Sequence, residues 1–248
     1  MPFTFAHPAI VLPVKGISPR FFSLTGLVIG SMTPDFEYFI RMKILTRYSH
    51  TFGGLFWFDI PLGLVLCFLY HQFVRDTLLQ NLPHSFQIRL AGFQHFDWNG
   101  YFRKNWLVVV TSVFLGAASH LFWDSFTHNH GFFVRRIPFL RTRFELAGLH
   151  FQTSEILQHF STLVGRAFIV FWVVRLPVDR TVKSKPDIRY WVWVLLLSSV
   201  ITMLRFINAI DYRFYGNIVV TAISAFMIAL IVVPLFQKLV FKKLRLVH

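Results

Sequence analysis

The chain has 248 residues, 55% of them hydrophobic and 18% aromatic, with a mean hydropathy of +0.55, which is more apolar than ordinary soluble domains. Its formal charge of +14 is spread along short loops rather than interleaved with aromatics on a soluble module, which argues against a nucleic-acid partner and points the basic residues at anionic membrane-lipid headgroups. The single cysteine, Cys67, excludes an intramolecular disulfide and a cysteine-based zinc site.

Residues 1 to 51 mix prolines with short apolar runs. The start, Met1-Pro-Phe-Thr-Phe-Ala-His7-Pro, has no basic stretch ahead of an apolar core, so no cleavable secretory signal is expected and the protein is held by its own helices. Phe21 to Met32 is short for a span and reads as re-entrant or as part of a longer helix ending near Arg41. Pro34 disfavours helix at Thr33 and opens a new turn, with Asp35 near a helix start and Glu37 solvated or paired with Arg41. Phe52 to Val74 is a candidate span despite Asp59 and His71, and the polar connection from 75 to 105 resembles an interfacial amphipathic helix. The clearest spans are Trp106 to Phe126, Leu157 to Pro177, Tyr190 to Ile210 and Gly216 to Leu239, each near the roughly 20 residues that cross about 30 Å of hydrocarbon.

The expected fold is therefore all-α: a polytopic integral membrane bundle of five or six transmembrane helices with short helical loops. Residues 1–177 form its ligand-rich part, and residues 178–248 supply a basic linker and two C-terminal spans of the same continuous domain. Arg175, Arg180, Lys183, Lys185 and Arg189 lie between two spans, and Lys238, Lys242, Lys243 and Arg245 follow the last, so both clusters fit the cytoplasmic side. That places the segment from Thr127 to Ile156, and His50, on the other side, against which Arg135, Arg136, Arg141 and Arg143 argue.

The stretch Gly116-Ala-Ala-Ser-His120-Leu-Phe-Trp-Asp124-Ser-Phe-Thr-His128 sets two imidazoles and a carboxylate at i, i+4 and i+8. On a helix they form one stripe, with Gly116 one turn back leaving room for another backbone or an ion. Ionisable groups inside a membrane are functional by default, the alternative being polar glue between helices. Neutral imidazoles with a carboxylate favour a divalent ion of the zinc type, but one helix cannot complete the shell. Candidates before the stripe are His7, Asp35 and His50; after it come His150 and the i, i+4 pair Glu155 and His159. Each has a plainer reading: His7 as a loop residue before Pro8, Asp35 and Glu155 as first-turn acids favoured by the helix dipole. His130 reads as a supporting or loop residue, Asp59 as a weak extra, and His71, His84 and His95 as solvated surface. No Gly-x-Ser-x-Gly elbow, phosphate loop or Gly-x-Gly-x-x-Gly fingerprint is present.

Taken together, the His7 segment, Gly30-Ser-Met-Thr-Pro34-Asp35-Phe-Glu-Tyr-Phe, Tyr48-Ser-His50-Thr, the Gly116–His128 stretch and Leu157-Gln-His159-Phe-Ser resemble a bacterial membrane family, domain of unknown function 4184. The order of His, Pro-Asp, His and Ser-His-x3-Asp is also similar to bacterial inner-membrane proteins described as membrane-bound metal-dependent hydrolases, and remotely to zinc-dependent phospholipase C. The resemblance implies His7, Asp35, His50, His120, Asp124 and His128 as a metal shell, with Glu155 or His159 as later members. Glu155-x3-His159 reverses the His-x3-Glu order of the phospholipases, so one or two ions are implied rather than three.

The leading expectation is a membrane-bound metal-dependent hydrolase in a bacterial cytoplasmic membrane, acting on a lipid phosphoester through a metal-activated water, with Asp35 and Asp124 as its catalytic carboxylates. Arg135 and Arg136 are candidates to hold the phosphate. Two other classes compete: a proton or metal-ion transporter component, and a nonenzymatic membrane scaffold. The chain shows no internal repeat of the kind many transporters carry.

Overall fold

The computed structural model describes residues 3–17, 20–146, 148–183, 185–209 and 214–245. Its helices are α1 (Pro8–Ile17), α2 (Leu24–Met32), α3 (Phe36–Arg41), α4 (Phe52–Asn81), α5 (His84–Leu90), α6 (Trp98–Thr127), α7 (Phe132–Arg136), α8 (Thr153–Val174), α9 (Ile188–Ala209) and α10 (Tyr215–Arg245). One antiparallel hairpin, β1 (Arg143–Leu146) and β2 (Leu149–Gln152), interrupts this all-α architecture. Among the described residues, five helical stretches are long and apolar enough to cross a membrane: Phe52–Asn81, Trp98–Arg136, Thr153–Val174, Ile188–Ile207 and Tyr215–Leu239. The expected end of one span at Ile210 lies outside the described residues, as do the side chains of Lys242, Lys243 and Arg245.

The sixth candidate, Phe21 to Met32, folds as nine-residue α2, too short to span. A tightened 3-10 turn, Thr33–Asp35, joins it to α3, so the helical path does run to Arg41, bent where Pro34 cannot donate a backbone hydrogen bond. The polar connection from 75 to 105, expected to resemble one interfacial amphipathic helix, is divided between the end of α4, α5 and the start of α6. Helix α4 continues to Asn81 through two π-helical turns, Leu55–Asp59 and Tyr70–Val74, the first ending on buried Asp59.

Chain contacts divide the protein into two units, each drawn from separated stretches. The first comprises the chain up to Asp35, Arg47–Val65 and Tyr101–Val174; the second comprises Phe36–Thr46, Leu66–Gly100 and the chain from Arg175. In the first, α8 packs on α1 and on the 3-10 turn Thr4–Ala6, and Phe3 donates its backbone N–H to Thr162 Oγ1 at 3.1 Å. Any Cβ at Gly165 would stand 3.0 Å from Ala6 O, so a glycine lets these backbones approach.

The second unit centres on α9 and α10, where Tyr190, Val194, Ala229 and Val233 form an apolar core. Glu37 is buried there, and Arg41 Nε and Nη2 both donate to its Oε1 at 2.9 and 2.7 Å, so it is paired and not solvated. His71 corrects its expected surface role: its ring stacks on Trp98 with centroids 4.3 Å apart, and its Nδ1 lies 2.8 Å from Arg75 Nη1. Buried Arg75 also grips Asp76 through Nε and Nη2 and donates to Phe96 O, which satisfies a guanidinium that would otherwise be costly to bury.

Candidate metal centre

The centre begins with a helix crossing made of small residues. Gly26 and Gly30, four apart on α2, face Val109, Ser112, Val113 and Gly116 on α6. A Cβ at Gly30 would sit 2.3 Å from Val113 O, and one at Gly116 would sit 2.4 Å from Leu27 O and 2.6 Å from Ser31 N. The space beside Gly116 therefore belongs to another backbone and not to an ion. Small-x3-small spacing is how helices meet closely without an aqueous hydrophobic drive. The consequence lies one turn on: Ser31 O accepts a 2.7 Å hydrogen bond from His120 Nδ1, so His120 carries a proton on Nδ1 and turns Nε2 inward.

Three other stretches aim donors at the same place. Asp35 closes the 3-10 turn after Pro34, and Thr4 Oγ1 donates to its Oδ2 at 2.6 Å, leaving Oδ1 to face His50 and His120. His7, at the entry to α1, stacks on His120 with ring centroids 3.7 Å apart. His50 lies in the turn before α4, with Ser49 Oγ 3.0 Å from its Nδ1.

Asp124 is the hub. Its Oδ1 lies 3.6 Å from His7 Nε2, and its Oδ2 lies 3.6 Å from His50 Nε2, 3.2 Å from His120 Nε2 and 3.6 Å from His128 Nδ1. Asp35 Oδ1 stands 3.5 Å from His50 Nε2 and 3.6 Å from His120 Nε2. Most of these separations are long for hydrogen bonds. They match the spacing of two ligands on one tetrahedral ion, about 3.4 Å when each bond is near 2.1 Å. Two overlapping donor sets, His7–Asp35–His120 and His50–His120–Asp124, each have all their ligand atoms within 4.8 Å of one another.

Burial makes that spacing informative. His7, Asp35, His120 and Asp124 are all at most 6% exposed. Yet His7 Nδ1 and Nε2, Asp35 Oδ1, His120 Nε2, both Asp124 carboxylate oxygens and His128 Nε2 have no hydrogen-bond partner. Among the described residues no lysine or arginine forms an ion pair with Asp35 or Asp124. Two buried carboxylates that face only imidazoles, with no permanently charged side chain to balance them, form a donor set that fits a bound divalent ion. The protonation of His7 suits ligation: burial and then the neighbouring His120 push its imidazole down to about 3, which keeps it neutral. For Asp35, burial alone would raise the carboxyl, but His120 and then His50 hold it below the ordinary range. Burial would lower His50, but contacts with Asp124 and Asp35 outweigh it and raise it.

With this geometry in view, comparison with known families matches residues 1–235 to the family described as Domain of unknown function (DUF4184). The chain belongs to the DUF4184 family. No curated protein and no solved structure matches it.

In this DUF4184 chain, six of the eight candidate ligands gather: His7, Asp35, His50, His120, Asp124 and His128. Buried His/Asp groups able to hold a metal ion are thus present. Glu155 and His159 do not join them. Glu155 Oε2 accepts the backbone N–H of Gln152 at 3.0 Å, capping the start of α8, and His159 is exposed on the same helix. His150 is exposed on β2 opposite Glu145, and His130 is exposed with its carbonyl accepting from Arg135 Nε. Sequence reasoning missed Thr4, Ser31 and Ser49, which orient Asp35, His120 and His50. Only adjacency could have signalled them: Thr4 lies three residues before His7, and Ser49 precedes His50.

If Thr4 fixes the Asp35 carboxylate, Thr4→Val should weaken metal affinity by about 10- to 100-fold, the usual effect of deleting a group that orients a ligand. Competition with a chromogenic chelator measures it; an unchanged affinity would remove Asp35 from the centre.

Proposed function

We propose that this DUF4184 protein is an integral-membrane hydrolase of the cytoplasmic membrane of a bacterium, using one or two divalent ions of the zinc type. The observation that carries the reading is the convergence of buried donors of His7, Asp35, His120 and Asp124 from separate stretches, with no lysine or arginine paired to the carboxylates among the described residues. Polar glue is disfavoured by the same observation, because groups that only join helices find hydrogen-bond partners. A divalent ion held there supplies Lewis acidity and acidifies a coordinated water, towards a pKa of about 7.

The chain's own residues divide the remaining work. His7, His120 and Asp124 form the dry floor, with Ser31 O fixing the His120 tautomer. His50 and His128, whose side chains are 21% and 31% exposed, form the open edge where water and an ester reach the donors. Asp35 is held by Thr4 with one oxygen free toward the centre, the placement needed either to ligate or to accept a proton from the attacking water. His120 is common to both donor sets, which suits one or two ions. Arg135 and Arg136 are exposed on α7 after His128 and suit a phosphoester, the substrate bond this reading favours.

Elemental analysis of untagged protein, with hydrolysis of bis-p-nitrophenyl phosphate before and after chelation, tests the proposal. At least one divalent transition-metal ion per chain is expected, with His120→Ala losing both metal and turnover. Wild-type protein free of metal above background would end the reading.

A further inference from the structure

An apolar groove of about 290 Å³ runs beside the donor cluster, lined by His7, Ala9, Ile10, Trp123, Phe160 and Val164 among others. This is near the lower end of the size range of small-molecule sites. Its rim is formed by residues that remain open to the surroundings, with Ile10 40%, Phe160 62% and Val164 48% exposed. Phe160 and Val164 belong to α8, a candidate span with only 6% of its apolar window buried inside the protein. The groove therefore opens sideways, on a flank that a bilayer would cover.

Its inner end has a different chemistry. His7 lines the groove and also stands 3.6 Å from Asp124; it is 3% exposed, and neither of its ring nitrogens has a hydrogen-bond partner. Trp123, which also lines the groove, directly precedes Asp124 in α6. A hydrocarbon wall that ends on ion-binding donors matches an amphiphile whose tail lies along the wall and whose polar head reaches the end. A small water-soluble ester would leave most of such a wall uncovered, whereas an acyl chain covers it without exposing hydrocarbon to water.

We infer that this groove seats one acyl chain of a bilayer lipid, presenting its headgroup to the His7–Asp124 side of the centre. The inference rests on the hydrolase reading for the substrate's reacting end, and it names the substrate class as a lipid entering sideways from the bilayer. The small side chain at Ala9 keeps the groove open, and Val164 sets its rim.

The test uses full-length, delipidated protein in detergent micelles, with dioleoyl phosphatidylglycerol as probe and native mass spectrometry as readout. Wild type should retain one lipid per chain. Ala9→Phe, which fills the groove, and Val164→Trp, which narrows its rim, should each weaken retention by at least about tenfold with metal content unchanged. Glycerol phosphate, the head without the chain, should bind at least about tenfold more weakly than the lipid. Lipid retention that is equal in wild type and both variants, or glycerol phosphate binding as tightly as the lipid, overturns the inference. Should neither variant fold, a lipid bearing a diazirine on its acyl chain replaces them: labelling of α1 and α8 supports the groove, and labelling confined to other helices overturns it. Wild type lacking metal but showing groove-dependent retention removes the hydrolase reading and leaves the lipid site standing.

Discussion

Asp124→Ala should lower divalent-ion affinity by at least about 1,000-fold, roughly 4 kcal/mol, and should abolish the response of thermal stability to chelators. No other residue in the cluster meets four imidazoles; Asp124 stands within 3.6 Å of His7, His50, His120 and His128. The substitution leaves the helix intact, since alanine is the best helix former and fits the last turn of α6, where Asp124 lies. The decisive reading is the melting temperature with and without EDTA. An ion that binds only the folded state stabilises it by mass action, so wild type should melt lower in EDTA and Asp124→Ala should melt at one temperature in both conditions. If the cluster were merely a set of packing contacts, chelation would leave wild type unmoved and Asp124→Ala would be destabilised in either buffer. That outcome would also remove Asp35 and His50 from any catalytic role.

How much of this centre could be read from the chain depends on how local each signal is. His120, Asp124 and His128 were legible because helical periodicity alone places i, i+4 and i+8 on one face, and the structure keeps them there. The same rule misled at Glu155 and His159. Spacing reports a shared face but not which way that face turns, and here one residue caps a helix start while the other points outward. His7, Asp35 and His50 came from the resemblance and from their apolar neighbours, because no local pattern says that residues 7, 35 and 50 meet near 120. The two interleaved units are not legible either: α4 runs from one unit into the other at Val65–Leu66 without a break in hydrophobicity. By contrast, the five spans follow from composition and length, which need no tertiary information. The same arithmetic makes α2 too short to span. What that arithmetic passed over was Gly26-Leu-Val-Ile-Gly30 in α2 and the Ser112-x3-Gly116 spacing of α6, a close-packing signal written openly in the chain.

That crossing is the mechanical basis of the centre, and Gly116→Val should show it. A single Cβ at 116 meets Leu27 O at 2.4 Å and Ser31 N at 2.6 Å, and both are backbone atoms of a helix that cannot yield by changing rotamer. Valine adds two methyl groups to that conflict, so α2 must withdraw from α6. The displacement reaches the ligands at once: Ser31 O, which holds His120 Nδ1 at 2.7 Å, lies in the contacted turn, and Asp35 follows four residues later. Gly116→Val should therefore lose bound metal as fully as Asp124→Ala, although residue 116 carries no donor. It should differ in the chelated state, where overpacking of about 1–3 kcal/mol lowers its melting temperature below that of chelated wild type. Gly116→Ala should fall between the two. Gly92→Ala, at a position where a Cβ meets nothing within 4 Å, should leave metal content unchanged. If Gly116→Val keeps stoichiometric metal and wild-type stability, α2 does not position the centre, and the hydrogen bond from His120 to Ser31 is incidental.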